Sequence, residues 1–336
     1  MNHPILRRLL PAAAVVALAV LASMPAAAGP YSSLVVFGDS LSDNGNNALA
    51  GLFDPTQTIT GNSYIPSNTY ASGVYSNGPV WASDVAAAIG VPLAPSLAGG
   101  TDFAFGGATT GTQGPGPGGF PYSLLVQSGM YLGATGNTAS PSALYVIAGG
   151  GNDARAALAA IGGGADVAAT IAATAASFAA NVGAIVDSLQ FAGAQHIVVW
   201  DAPNLGLAPA VVAGGAANLA TFLTASMNVA LNLRLTGEAG VTTFDLFGLG
   251  TQIAQQPGLF GFSNVTDACG AVAGADCSQY AYWDGIHPTA ALHRVVADAF
   301  AVSAVPEPET WALLACGLAA LGAFSRRRER AGRSSA

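Results

Sequence analysis

The feature that most constrains this chain is an alternation in its second half. Short runs of apolar residues, Ala143 to Ala148, His196 to Trp200 and Val241 to Leu246, alternate with long helical stretches, Asp166 to Gln190 and Ala216 to Leu235. A strand that is apolar at nearly every position is covered on both faces, and strands joined through helices of this length run parallel. The pattern predicts an α/β/α sandwich with a central parallel sheet. Leu292, Val295, Val296, Ala299 and Phe300 share one face of a closing helix. Ligands in such sheets bind beyond the carboxyl ends of the strands, so chemistry is sought just after each apolar run.

The first run, Val35-Val36-Phe37, ends in Gly38-Asp39-Ser40 and delivers a serine to that edge. A serine in such a turn is most often only a turn former or helix cap, so its standing as a nucleophile depends on partners. Trp283-Asp284-Gly285-Ile286-His287-Pro288-Thr289 supplies them: an acid and a histidine three positions apart in a loop that opens the closing helix. A serine hydroxyl needs a base to take its proton, and a histidine base needs a carboxylate to fix its tautomer. Gly149-Gly150-Gly151-Asn152-Asp153 follows another apolar run, and Asn152 is either an oxyanion donor or the cap of the next helix. His196 opens a strand and His293 lies within a helix, so both are read as structural. The Asx-rich stretch Asp43 to Asn47 lacks EF-hand spacing and is read as turn chemistry, with no metal and no cofactor implied.

Further along, a long polar loop, Asp54 to Asn77, has the length of a substrate-contacting segment or lid. A helix from about Pro79 to Ile89 and a short strand near Val91 are expected before Thr101-Asp102-Phe103-Ala104-Phe105-Gly106-Gly107-Ala108. Gly114 to Gly119 formally fits a dinucleotide fingerprint, but no strand or helix flanks it and its prolines preclude the tight turn.

Taken together, F-G-D-S-L-S-D, F-G-G-A, G-G-N-D and D-G-I-H-P resemble the GDSL (SGNH) hydrolase family over roughly Ser32 to Ala304. Asp102 stands where that family more often has asparagine. The resemblance implies a flavodoxin-like α/β/α fold (the SGNH hydrolase fold) and a serine esterase or lipase. It implies catalytic Ser40, Asp284 and His287, with an oxyanion hole from the Ser40 and Gly107 N–H groups, Gly106 being the alternative to Gly107, and the Asn152 side chain. The α/β-hydrolase elbow G-x-S-x-G is absent around Ser40.

Of 336 residues 51% are hydrophobic and 8% charged, and no lysine occurs. Between Gly29 and Ala304 fifteen acids face three arginines, so this stretch carries −12 and lacks the basic footprint that nucleic acid requires. Residues 1–28 have the charged, apolar and small-residue order of a secretory signal, to be removed by a signal peptidase before Gly29. Export makes a disulfide between Cys269 and Cys277 feasible, worth roughly 2 to 3 kcal/mol, with two free thiols as the alternative. Cys316 has no evident partner. The tail 305–336, with Val305-Pro306-Glu307-Pro308-Glu309, an apolar segment Trp311 to Phe324 and an arginine cluster, resembles a PEP-CTERM sorting signal. That resemblance implies processing by an exosortase-type enzyme and a transient membrane tether at the cell envelope, cell surface or extracellular matrix. The expected domains are therefore 1–28, 29–304 and 305–336. The expected substrate is an ester, either a lipid acyl ester or an acylated glycan such as an acetylated exopolysaccharide. A non-catalytic envelope or matrix protein that keeps the hydrolase fold is the alternative.

Overall fold

The computed structural model describes residues 31–304 and, beyond them, only Gly317. The expected signal segment, the expected sorting tail and Cys316 lie outside the described residues.

Four parallel strands form the central sheet: β1 (Leu34–Gly38), β2 (Leu144–Ala148), β3 (His196–Trp200) and β4 (Val241–Phe244), adjacent in that order. Pairings Val35 with Tyr145 and Tyr145 with Ile197 set one register across three strands. Successive side chains point to opposite faces of a strand, so each apolar run feeds two cores. Val35, Phe37, Tyr145, Ile147, Ile197 and Val199 meet Tyr131, Phe178, Val182, Leu223 and Leu231 on one face. Those partners belong to α2 (Leu124–Ala134), α4 (Val167–Phe191) and α5 (Ala217–Leu235), with α3 (Gly151–Gly162) beside them. Leu34, Val36, Leu144, Val146, Val198 and Trp200 meet Trp81, Val85, Val296 and Phe300 on the other. There α1 (Trp81–Ile89), α6 (Leu246–Gln255) and α7 (Ala290–Ala304) complete the third layer. Helix α4 is apolar and long enough to span a membrane by composition, but its Phe178, Val182 and Val186 are buried in this core.

Two expectations are corrected. No strand forms near Val91, where Pro92 and Pro95 lack the N–H that a ladder requires. Thr101 to Phe105 instead runs along the outer edge of β1, the Val36 N–H donating to the Thr101 carbonyl and the Phe103 N–H to the Val36 carbonyl. This edge puts chain segments in the flavodoxin-like spatial order. The run Val241 to Leu246 also divides: β4 ends at Phe244, because the Asp245 side chain accepts from Gly248 N–H (2.6 Å) and starts α6.

Candidate active site

The turn after β1 is fixed before any catalytic group is placed. Gln127, wholly buried in α2, donates to the Gly38 carbonyl and accepts from the Gly38 N–H, both at 2.8 Å, taking up the last backbone groups of the strand. Asp43 Oδ1 accepts from the Gly45 and Asn46 N–H groups (2.9 and 2.7 Å). Its Oδ2 accepts from the Asn47 and Gly106 N–H groups (3.2 and 2.9 Å), which ties the serine turn to the Gly106-Gly107 segment. Sequence reading had assigned Asp43 only a local turn role. Burial pushes the Asp43 carboxyl up to about 6 despite these four donors, and burial pushes Asp39 up to about 6 as well.

Ser40 Oγ lies 2.9 Å from His287 Nε2, and His287 Nδ1 lies 2.7 Å from Asp284 Oδ2. Asp284 has no solvent exposure and His287 is 5% exposed. The Asp284 carboxylate is satisfied on both oxygens: Oδ1 accepts from the Ile286 and His287 N–H groups (2.8 and 2.7 Å) and Oδ2 also accepts from Tyr70 Oη (2.8 Å). An acceptor held in this way favours the tautomer with Nδ1–H toward Asp284 and a free lone pair on Nε2 toward the serine. Tyr75 stacks on the His287 ring, centroids 5.2 Å apart, and receives a hydrogen bond from Asn47 Nδ2 (2.8 Å). Both tyrosines come from the loop Asp54 to Asn77, so that loop buttresses the acid and base from behind. Its Ile65 alone borders the open groove described below. Sequence reading missed both tyrosines, and an aromatic-rich polar loop was the available signal.

Ser40 and Asn152 border one cavity, and Gly107 and Asn152 border a second. Among the described residues neither the Ser40 N–H nor the Gly107 N–H has a hydrogen-bond partner, whereas Gly106 N–H is taken by Asp43. The Gly107 backbone adopts φ +85°, a left-handed conformation natural to glycine. Asn152 does not cap α3, which starts at Gly151 after a Gly150 N-cap. Its Nδ2 donates to the Ala108 carbonyl (2.9 Å) and its Oδ1 accepts from Arg155 Nη1 (3.0 Å), leaving one amide proton for another acceptor. The neighbouring Asp153 accepts from Thr110 N–H (3.0 Å) and Oγ1 (2.7 Å), so residues 107–110 are clamped to the start of α3 twice.

His293 is buried and burial pushes it down to about 3, so it is neutral and structural; His196 is exposed against Tyr31. Cys269 and Cys277 are brought together as a disulfide, Cα atoms 5.6 Å apart, beside the small parallel pair β5 (Asn264–Ala268) and β6 (Tyr280–Tyr282). No cluster of metal-ligating side chains occurs among the described residues. A cavity of about 110 Å³ opens beside Ser40 and His287, walled by Leu41, Leu205, Leu207, Ile253, Leu292 and Val296. Across Asn152, Arg155 and Ile286 lies a wider groove of about 510 Å³ that Gly107 and Thr109 also line. The arrangement thus sets a serine hydroxyl in hydrogen-bond contact with His287 between an apolar chamber and an open groove, with unpaired N–H donors among the described residues nearby.

A family model described as GDSL-like lipase/acylhydrolase matches residues 34–300, and one described as a PEP-CTERM protein-sorting motif matches residues 304–328. Esterase EstA of Pseudomonas aeruginosa is 31% identical over 332 aligned residues, covering 86% of this chain and 49% of the relative. An uncharacterized protein from the trpE-trpG intergenic region of Pseudomonas putida is 28% identical over 318 residues, covering 84% of this chain and 50% of the relative. Lipase 1 of Photorhabdus luminescens is 31% identical over 182 residues, covering 54% of this chain and 24% of the relative. The chain spans about half the length of the first two of these relatives, or less in the third.

Proposed function

The chain belongs to the GDSL-like lipase/acylhydrolase family, a family of carboxylic ester hydrolases, and from that premise we propose that it is an exported serine esterase working through Ser40, His287, Asp284 and an acyl-enzyme. His287 Nε2 takes the Ser40 proton as Oγ attacks the ester carbonyl carbon. The carbonyl oxygen becomes an oxyanion facing the Ser40 and Gly107 N–H groups and the Asn152 amide; one such donor is worth about 3 kcal/mol in the transition state. Asp284 stabilises the imidazolium that forms. Collapse breaks the bond to the alcohol oxygen, which leaves with the proton from His287. Water, deprotonated by the same nitrogen, then frees the acid and restores Ser40.

The observation that carries this reading is the continuous relay from Asp284 Oδ2 through His287 to Ser40 Oγ, at 2.7 and 2.9 Å, ending beside an apolar cavity. The cavity's aliphatic walls favour an acyl chain over acetate, hence a lipid-like acyl ester over an acetylated glycan. Burying one methylene is worth about 0.8 kcal/mol, roughly fourfold in kcat/KM. A graded series of p-nitrophenyl esters should therefore rise from acetate by about that factor per carbon until the cavity is filled. A maximum at acetate, together with faster release of acetate from an acetylated glycan, would contradict the acyl-ester reading and favour the glycan.

The sorting motif marks the chain for export with a processed C-terminus. We assign residues 1–28 to a signal cut by signal peptidase, 29–304 to the hydrolase domain and 305–336 to a transient tether handled by an exosortase-type enzyme, with the domain facing outward at the envelope. Mass spectrometry of the mature protein tests this assignment: it expects an N-terminus at Gly29 and a C-terminus near Pro306 to Glu309. A bulk species still ending at Ala336 would refute the processing.

A further inference from the structure

Arg155 is not accounted for by the mechanism above. It is the only permanent cation among the described residues lining either of the two cavities that meet at Asn152. The stretch from Gly29 to Ala304 has only three arginines against fifteen acids, so a cation here is not a by-product of composition. No carboxylate approaches Arg155 within ion-pair distance among the described residues, whereas Arg234 is paired with both Asp187 and Glu238. One guanidinium N–H serves Asn152 Oδ1; the rest of the fork has no protein acceptor among the described residues. A half-buried cation in that state is costly unless something else supplies the negative partner, and the planar fork matches a carboxylate or phosphate bidentately. Asp39, which lines the same chamber, and Asp284 both act on Arg155 from a distance, but neither carboxylate hydrogen-bonds the guanidinium, and Asp39 Oδ1 is engaged by the Leu41 N–H (3.0 Å).

The two cavities divide an ester between them. The narrow aliphatic chamber beside Ser40 suits the acyl chain; the open groove with Thr109 and Ile286 suits the alcohol. Arg155 stands on their common wall. We propose that Arg155 is a specificity residue that binds an anionic group, a carboxylate or a phosphate, carried by the alcohol part of the ester a few bonds beyond the scissile oxygen. This rests on the hydrolase reading and narrows it to anionic esters.

The test uses the full chain, wild type and Arg155→Gln, on two matched pairs of hexanoyl esters. One pair is the ester of 4-hydroxybenzoate beside that of its methyl ester; the other is hexanoyl glycerol phosphate beside monohexanoylglycerol. The kcat/KM ratio of charged to neutral ester should fall about ten- to hundredfold in Arg155→Gln, chiefly through KM. Arg155→Lys, which keeps the charge but not the fork, should retain part of the ratio. Any loss from loosening Asn152 falls on both members of a pair and cancels. The pair with the larger wild-type ratio distinguishes carboxylate from phosphate. A ratio unchanged by Arg155→Gln, with kcat falling equally on charged and neutral esters, would overturn the inference and leave Arg155 as a positioning residue for Asn152. Absence of wild-type turnover on all four esters and on p-nitrophenyl acetate would instead overturn the hydrolase reading beneath it.

Discussion

Ser40 and Asn152 stand at the ends of buried parallel strands, whereas Asp284 and His287 ride on a loop outside the sheet, and the two sides are held by different forces. On the strand side backbone ladders, Gln127 and the Asp43 carboxylate fix the chain, and those contacts also hold the core. On the loop side the restraints lie outside the sheet: the Tyr70 and Tyr75 side chains, backbone bonds from the Gly285 N–H to the Tyr64 carbonyl (3.1 Å) and from the Trp283 N–H to the His287 carbonyl (2.8 Å), and a disulfide close by in sequence. Local opening costs least away from the sheet ladder and the core it carries. The loop side should therefore lose activity without loss of fold, and the strand side should lose both unless a substitution touches only the oxyanion. Native-state hydrogen exchange sharpens the contrast: the Val35 to Gly38 amides should exchange with the global unfolding energy, those of Gly285 to His287 well below it.

The largest effect expected of these variants is on the strand side yet leaves the fold alone. Asn152→Ala should lose about two to three orders of magnitude in kcat, because the amide proton left free at the site disappears. Its melting temperature should hold, since Asn152 caps nothing. An equal loss of stability would break the distinction. Asp43→Asn should cost about 2 to 3 kcal/mol of stability, because an amide nitrogen then faces N–H donors that lose their acceptor. That is several degrees in melting temperature for a domain of this size. Tyr70→Phe should lower kcat by about tenfold and shift melting by no more than a degree or two, since it removes one hydrogen bond to Asp284 and no packing. A Tyr70→Phe protein that melts as early as Asp43→Asn would erase the comparison.

The remaining effect is a pH dependence that vanishes toward pH 4. Burial, with Asp245 adding to it, raises the Asp201 carboxyl from 3.8 to about 6, and its Oδ1 is buried without a partner. A carboxyl raised by folding favours the neutral form. Its stabilising share is fully present below the ordinary value of 3.8 and is lost as pH rises through about 6. Asp201→Asn, which stays neutral, should accordingly be the more stable protein at pH 7 to 8, by about 1 to 3 kcal/mol. The gap should close toward pH 4. A gap independent of pH between 4 and 8 would contradict the assignment.

Much of this could be read from the sequence, for identifiable reasons. β2 and β3 are covered on both faces, so their apolar runs announce themselves, and the residues that follow are obliged to sit at the carboxyl edge. Ser40, Asp284 and His287 are chemically distinctive in a chain this poor in charge, and the structure brings them into one relay. The edge segment Thr101 to Phe105 was placed too early in the chain, because its pairing is brief and the apolar letters near Val91 are interrupted by prolines. Gln127 and Tyr70 were invisible, since their contacts join residues 89 and 214 positions apart and neither residue type signals such a role. Asn152 was open between oxyanion donor and helix cap, and the cap reading falls because the helix starts at Gly151 with Gly150 as its N-cap.

The central claim is that Ser40, activated by His287 and Asp284, is the group that attacks the ester. A fluorophosphonate probe with intact-mass and peptide analysis tests it most directly, run on wild type and Ser40→Ala whose folds are matched by circular dichroism. The account predicts one adduct on wild type, mapped to Ser40 and formed in step with loss of esterase activity, and neither adduct nor turnover in Ser40→Ala. An adduct on a different serine, or wild-type turnover by Ser40→Ala, would contradict it.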